Sequence, residues 1–151
     1  MAVTTVGEAS PAPSPVHTAP GAITCSVVPG DERLKFLPRV FGRRYMQGES
    51  AVFTWMRCLN SSYNGGFWDF VDLSNGGFYL RLVGDQPVAI SVETNGYMGA
   101  MSPDAASIVV SLFAINELLF DGAHELDDAY YALRDYALQH AECREILKAI
   151  D

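Results

Sequence analysis

The stretch YNGGFWDFVDLSNGGFYL runs from Tyr63 to Leu80 and holds Asn-Gly-Gly-Phe twice, at Asn64–Phe67 and at Asn75–Phe78. Two such copies either cradle a ligand or form two turns of one small sheet. A phosphate-cradling loop needs a helix N-terminus behind it to supply aligned N–H groups. Here a strand-like run follows each copy, so the turn reading holds. Asn-Gly is a hairpin signal because both residues tolerate positive φ. Phe67–Leu73, between the copies, has strand length and is apolar on both faces, as a covered central strand should be. Beyond the second copy, Phe78, Leu80 and Leu82 alternate with Tyr79, Arg81 and Val83. After Gly84–Pro87, Val88, Ile90 and Val92 alternate with Ala89, Ser91 and Glu93. The pattern predicts a three-stranded antiparallel meander.

Helical signals flank this sheet. Asp31–Phe36 reads as one helical turn ended by Pro38. Glu49–Leu59, after Gly48, carries Val52, Phe53, Met56 and Leu59 at helical spacing. Ser102-Pro103-Asp104 supplies an N-cap, a proline at the first helical position and an early acid, starting a helix to Phe120 that stops near Gly122. This helix is apolar nearly all round, which marks a core helix. Its apolar stretch, Ala105–Phe120, is short for a membrane span. A helix from about Ala123 has the core stripe Leu126, Ala129, Tyr130, Leu133, Ala137 and His140. Cys143–Ile150 forms a last short helix. The expected fold class is α+β: an antiparallel sheet of three or more strands against about four helices, in a single domain over residues 29–151. Residues 1–28, rich in Pro, Ser, Ala and Thr, are expected to form a disordered tail.

The chain has 151 residues and a formal net charge of -8, which argues against binding to the phosphate backbone of nucleic acid. The charge is uneven. Residues 101–151 carry ten acids against three bases, whereas residues 31–44 carry five bases against two acids. Cys25, Cys58 and Cys143 are odd in number and widely spaced, so no disulfide framework is expected. Cys58 is expected in the core. The first 22 residues lack the basic start and apolar run of a signal peptide. A cytoplasmic protein is the expectation.

No catalytic constellation emerges, and no cofactor or metal is expected. His124-Glu125 lacks a second His four residues after the first, because position 128 is Asp. Asp69 and Asp72 invite a metal-dependent nuclease reading, but a spacing of three places them on opposite faces of a strand. Bonds to loops or to an arginine such as Arg57 or Arg81 are the plainer role. The aromatics of Tyr63–Tyr79 lack the basic interleaving of an oligonucleotide platform.

From about residue 30 onward the chain resembles the ArdB/KlcA antirestriction family. The resemblance is carried by RLKFLPRVFGR, FTWMRCLNSSYNGGFWDFVDLSNGGFYL, MSPDAASIVVSLFAINELLF and YYALRDYALQHAECREILKAID, in that order. Pro103 and Ala141 stand where the family suggests Ala and Pro. The resemblance implies a small bacterial protein that protects incoming plasmid DNA from type I restriction enzymes, without known catalytic residues. The partner would be the restriction–modification complex or an associated host protein, met by a monomer. Two rival readings are a nuclease-like enzyme using Asp69 or Asp72 and a plasmid-maintenance factor that binds a regulator.

At about 100° per residue, Asp127, Asp128, Tyr131, Asp135, Leu138 and Glu142 lie opposite the core stripe of the penultimate helix. Tyr131 and Leu138 are then apolar groups on a wet face ringed by acids, the composition of an interface patch. The competing reading has the terminal helix or tail covering both, with the acids merely solvating the surface.

Overall fold

The computed structural model describes residues 21–151. The elements in order are β1 (Cys25–Val27), α1 (Arg33–Phe41), α2 (Tyr45–Leu59), β2 (Trp68–Leu73), β3 (Phe78–Leu82), β4 (Val88–Val92), β5 (Tyr97–Met101), α3 (Pro103–Phe120), α4 (Asp127–Gln139) and α5 (Cys143–Ile150). The class is α+β, as the patterning predicts, with two small antiparallel sheets: β1-β2-β3 and β4-β5.

The second Asn-Gly-Gly-Phe is the β2–β3 hairpin turn. Only Gly76 enters the left-handed region, at φ +88; Asn75 does not. The Asn75 side chain instead accepts the Gly77 N–H (3.1 Å), and the Leu73 N–H closes the turn on the Gly77 carbonyl (2.9 Å). The register pairs Asp72 with Phe78 and Trp68 with Leu82. The first copy brings the chain into the sheet through Gly65 at φ +113. Pairing continues one step past β2, where the Val83 N–H donates to the Phe67 carbonyl (2.9 Å).

The third member of the sheet is not the expected one. Val88–Val92 does not join β3, so there is no meander. The free edge of β3 is taken by α3 instead. Ser107 Oγ accepts the Leu82 N–H (2.8 Å), and Ser111 Oγ, one helical turn on, accepts the Leu80 N–H (3.3 Å). With that edge filled, β4 pairs with β5 across a third Asn-Gly turn, Asn95-Gly96, where Gly96 has φ +75. Asn95 accepts the Tyr97 N–H (2.9 Å) and donates to the Ala149 carbonyl (3.0 Å), fastening this hairpin to the end of α5.

The vacant place beside β2 is filled by β1, inside the expected tail. Its register pairs Cys25 with Leu73 and Val27 with Val71, and Val28 is buried. The tail boundary therefore belongs earlier than 28. A three-residue strand needs few apolar residues when a neighbouring edge supplies its hydrogen bonds. Residues 1–20 of the expected tail lie outside the described residues.

Two helix boundaries also differ from expectation. Pro38 does not end α1. It removes one helical N–H from the exposed side, while Phe36 and Phe41 anchor the other side in the core. Phe36 stacks on Phe70 at 4.8 Å, and Phe41 meets Phe78 edge-on at 5.1 Å. α2 begins four residues earlier than predicted and includes Gly48. That glycine is required by the close approach of α1, since a Cβ there would lie 2.6 Å from the Phe41 ring.

Cys58 is exposed rather than in the core. Val52, Met56 and Leu59 define the buried face of α2, and Cys58 sits two residues past Met56, about 200° round the helix.

α3 follows its signals. Ser102 accepts the Ala105 N–H (3.1 Å), Pro103 holds the first position, and Gly122 turns the chain at φ +94. It is long and apolar enough to cross a membrane, but α2, β3, α4 and α5 pack round it and 61% of its residues are buried.

Candidate functional site

α4 starts after a 3-10 turn at His124–Leu126. Its inner residues Leu133 and Ala137 are fully buried, and Ala129 and Tyr130 are half-buried. Three ties fix its axis. The hairpin turn reaches over, with Asn75 donating to the Ala132 carbonyl (2.8 Å). Arg134 meets the Asp151 side chain at 3.5 Å. At the C-terminal end, Gln139 accepts the Ile23 N–H (2.9 Å).

The opposite side is free of these ties. Asp128, Tyr131, Asp135 and Leu138 follow one another at spacings of three, four and three, so they form one stripe along nearly three turns. Tyr131 is 58% exposed and Leu138 52% exposed. Asp127, Asp128 and Asp135 are exposed beside them. Among the described residues α5 does not cover this stripe: its buried residues, Ile146 and Ala149, face the core.

Glu142 does not belong to the stripe. α4 ends at Gln139, because His140 turns to ψ 147. That break swings Glu142 back towards α3, where it accepts the Ser102 N–H (2.9 Å) and the Ser102 hydroxyl. The expectation that Glu142 extends the acidic face fails because it assumed a continuous helix.

Behind α4 lies a polar cluster that patterning did not identify. Asp104, in the first turn of α3, accepts from the Tyr79 hydroxyl (2.6 Å) and from His140 Nε2 (2.9 Å). The Glu142 N–H donates to His140 Nδ1 (3.0 Å), which requires the His140 proton to be on Nε2. Arg81 stands 4.0 Å from Asp104 and 3.2 Å from Asp69. Burial alone would raise the Asp104 pKa, but the bonds from His140 and Tyr79 and the Arg81 charge outweigh it and hold it below the ordinary value. Burial and the adjacent carboxylate push Tyr79 far above its ordinary value. Tyr79 is fully buried, although it alternates along β3 with the apolar Phe78, Leu80 and Leu82, so both faces of the strand are covered there. The legible signal was the early acid of α3, which could as well have been a helix-dipole acid as the centre of a network. With both nitrogens of His140 and the Tyr79 hydroxyl engaged, the cluster joins α3 to the α4–α5 link and presents no activated nucleophile.

Asp69 and Asp72 point to opposite faces, each toward its own arginine. Asp69 pairs with Arg81, and Asp72 with Arg39 at 2.8 Å; Arg57 takes no part. This pairing holds the two carboxylates apart. The basic segment is largely committed as well. Arg33 packs over the Phe67 and Phe70 rings (5.0 and 4.2 Å) and donates to the Trp68 carbonyl, while Arg44 donates to the Asp121 carbonyl (3.2 Å).

Residues 61–151 match the family model described as antirestriction protein. The chain is 44% identical over 140 residues to the antirestriction protein KlcA of Escherichia coli, covering 87% of this chain and 96% of that protein. It is 34% identical over 143 residues to the uncharacterized protein YafX of Escherichia coli (strain K12), covering 91% of this chain and 94% of that one. Among solved structures it resembles one from work on the KlcA and ArdB proteins, described as showing a novel fold and antirestriction activity against type I DNA restriction systems in vivo but not in vitro. That match has a TM-score of 0.81 and 43% identity, over 86% of this chain and 96% of that chain.

Proposed function

The chain belongs to the antirestriction protein family, and from that premise we propose that it protects incoming DNA by inhibiting host type I restriction enzymes through protein contacts made by the outer face of α4. The observation that carries this reading is the stripe Asp128–Tyr131–Asp135–Leu138. It puts two half-exposed apolar side chains among carboxylates, on a helix whose other sides are tied down. Apolar anchors with a charged rim are what a protein partner's surface pocket recognises.

Imitation of DNA is the obvious device for an acidic inhibitor, and charge density argues against it. α4 has 13 residues, hence a length of about 20 Å, and exposes Asp127, Asp128 and Asp135 along it. Duplex DNA of that length carries about twelve charges. A surface several-fold too dilute competes poorly for a DNA channel but serves well as an interface rim. The structural relative's activity in vivo but not in vitro supports a partner present only in the cell, either an assembled restriction complex or an associated host protein. The action is non-catalytic in this reading, and the separate arginine pairings of Asp69 and Asp72 support that over a nuclease.

The experiment is phage plating in cells carrying a type I restriction system. Tyr131→Ala combined with Leu138→Ser should leave a folded protein that no longer protects. Full protection by the folded double variant removes α4 as the inhibitory face.

A further inference from the structure

The two small sheets treat their open edges differently. On β3, Ser107 and Ser111 bond the edge amides. β4 has β5 on one side and, among the described residues, no strand and no comparable side-chain bond on the other. An open strand edge is a row of N–H and C=O groups ready to pair with an extended chain.

A groove follows that edge. Two hollows, of about 520 and 350 Å³, share Cys58, Leu59, Ser91 and Glu93 and so run together. The larger is walled by Trp55, stacked on Phe113 at 4.8 Å, and by Phe120. The smaller lies between Asn60–Ser62 and Ala89–Ser91, with Met98 beside it. Phe120 is 89% exposed and Met98 81%, so both are open to a ligand lying in the groove. A backbone edge beside apolar hollows is the geometry by which sheets accept an added strand: main-chain bonds hold it, and alternate side chains enter the hollows.

The charge of the groove selects its occupant. Glu93 and Glu117 line it, and no Lys, Arg or His does. Glu117 is oriented by the Trp55 indole N–H (2.8 Å). A second copy of this chain, with its formal net charge of -8, is repelled. We propose that the outer edge of β4 binds an extended segment of another protein, with apolar side chains alternating with Lys or Arg, as an added third strand. The groove shares no residue with the α4 stripe, so this is a second contact surface, and it stands or falls apart from the first.

The test is an NMR titration of the isotope-labelled full chain with a capped hexapeptide, Lys-Val-Lys-Phe-Lys-Val. Amides of Ala89–Val92 should shift, and the alternate ones that face away from β5 should exchange more slowly with solvent. The same peptide N-methylated at alternate amides should not bind. Glu93→Lys, an exposed change that leaves the fold intact, should weaken binding about five-fold at low salt, the effect of roughly one exposed ion pair. Absence of shifts at Ala89–Val92 with millimolar peptide, equal binding of the N-methylated peptide, or undiminished binding to Glu93→Lys each overturns the proposal. Dimerisation seen by sedimentation and lost in Glu93→Lys would assign the edge to a second copy and overturn it equally.

Discussion

Ser107 of α3 takes the place of a neighbouring strand for Leu82 of β3: its hydroxyl accepts the Leu82 N–H at 2.8 Å and donates to the Pro103 carbonyl at 2.6 Å. A helix side chain thus terminates the sheet and sends β4 elsewhere. Ser107→Ala leaves the Leu82 N–H without its partner at a part-buried position. It should cost about 1–3 kcal/mol in denaturant unfolding. Ser111→Ala should cost less, because its bonds to Leu80 are long, at 3.3 and 3.4 Å. Equal stability of wild type and Ser107→Ala would remove this account of why β3 and β4 do not pair.

Gly76 is the one left-handed residue of the β2–β3 turn, at φ +88. Open space surrounds the position of its missing Cβ, so any penalty there is backbone strain alone. Gly76→Val should lower stability by about 1–3 kcal/mol and be visible as a reduced Tm. Gly77 reports a different limit: its added Cβ would lie 3.0 Å from Ala132 Cβ, so Gly77→Ala should disturb the seating of α4.

Glu142 is expected to act through the start of α3 rather than through a partner. Glu142→Ala strips Ser102 of the acceptor for its N–H and hydroxyl. A loss of about 1 kcal/mol, of the size of a helix cap, is the expected outcome in thermal or denaturant unfolding. Restriction protection should persist in that variant while it remains folded. A fully stable variant lacking protection would return Glu142 to the interface.

Acid should act through Asp104. Its pKa in the folded protein lies below the ordinary 3.8. The ionised form is therefore favoured by folding, and its contribution is present above pH ~4 and lost as pH falls through the folded value. Asp104→Asn should be less stable at neutral pH and show a shallower decline of stability between about pH 4 and pH 2. An acid slope identical to wild type would mean that Asp104 is not the group that links this network to pH.

Alkali should act through the buried phenols. Burial, with the bond to Glu145, pushes Tyr97 up to about 12. A raised value means the protonated phenol is favoured by folding, so stability is complete below pH ~10 and falls as pH rises toward 12. Tyr97→Phe should flatten that alkaline decline, measured by Tm across the range.

The acidic rim makes a salt-dependent prediction. Asp128→Asn with Asp135→Asn removes two exposed charges from the α4 stripe. Partial loss of binding to a basic partner is expected, larger at low ionic strength than at high. A defect independent of salt would leave Tyr131 and Leu138 as the whole of the contact.

Local chemistry determined much of this molecule. The Ser102 cap with Pro103, the Gly122 stop, the Asn75-Gly76 hairpin, the stripe of α4 and the Cys143–Ile150 helix were all legible, because each depends on residues within a few positions of one another. The exposed Tyr131 and Leu138 followed from helical phase alone. What required the tertiary structure was which edges meet. Alternation marks Val88–Val92 as a strand but carries no information about its neighbour, and that was decided by two serines of α3, the nearer one 25 residues from its β3 partner. β1 is unreadable in its own composition, since β2 supplies its hydrogen bonds. Glu142 left the α4 face because His140 is drawn to Asp104, 36 residues away. A side chain's periodic position predicts its direction only while the helix continues, and what ended this helix was a hydrogen bond to a distant part of the chain.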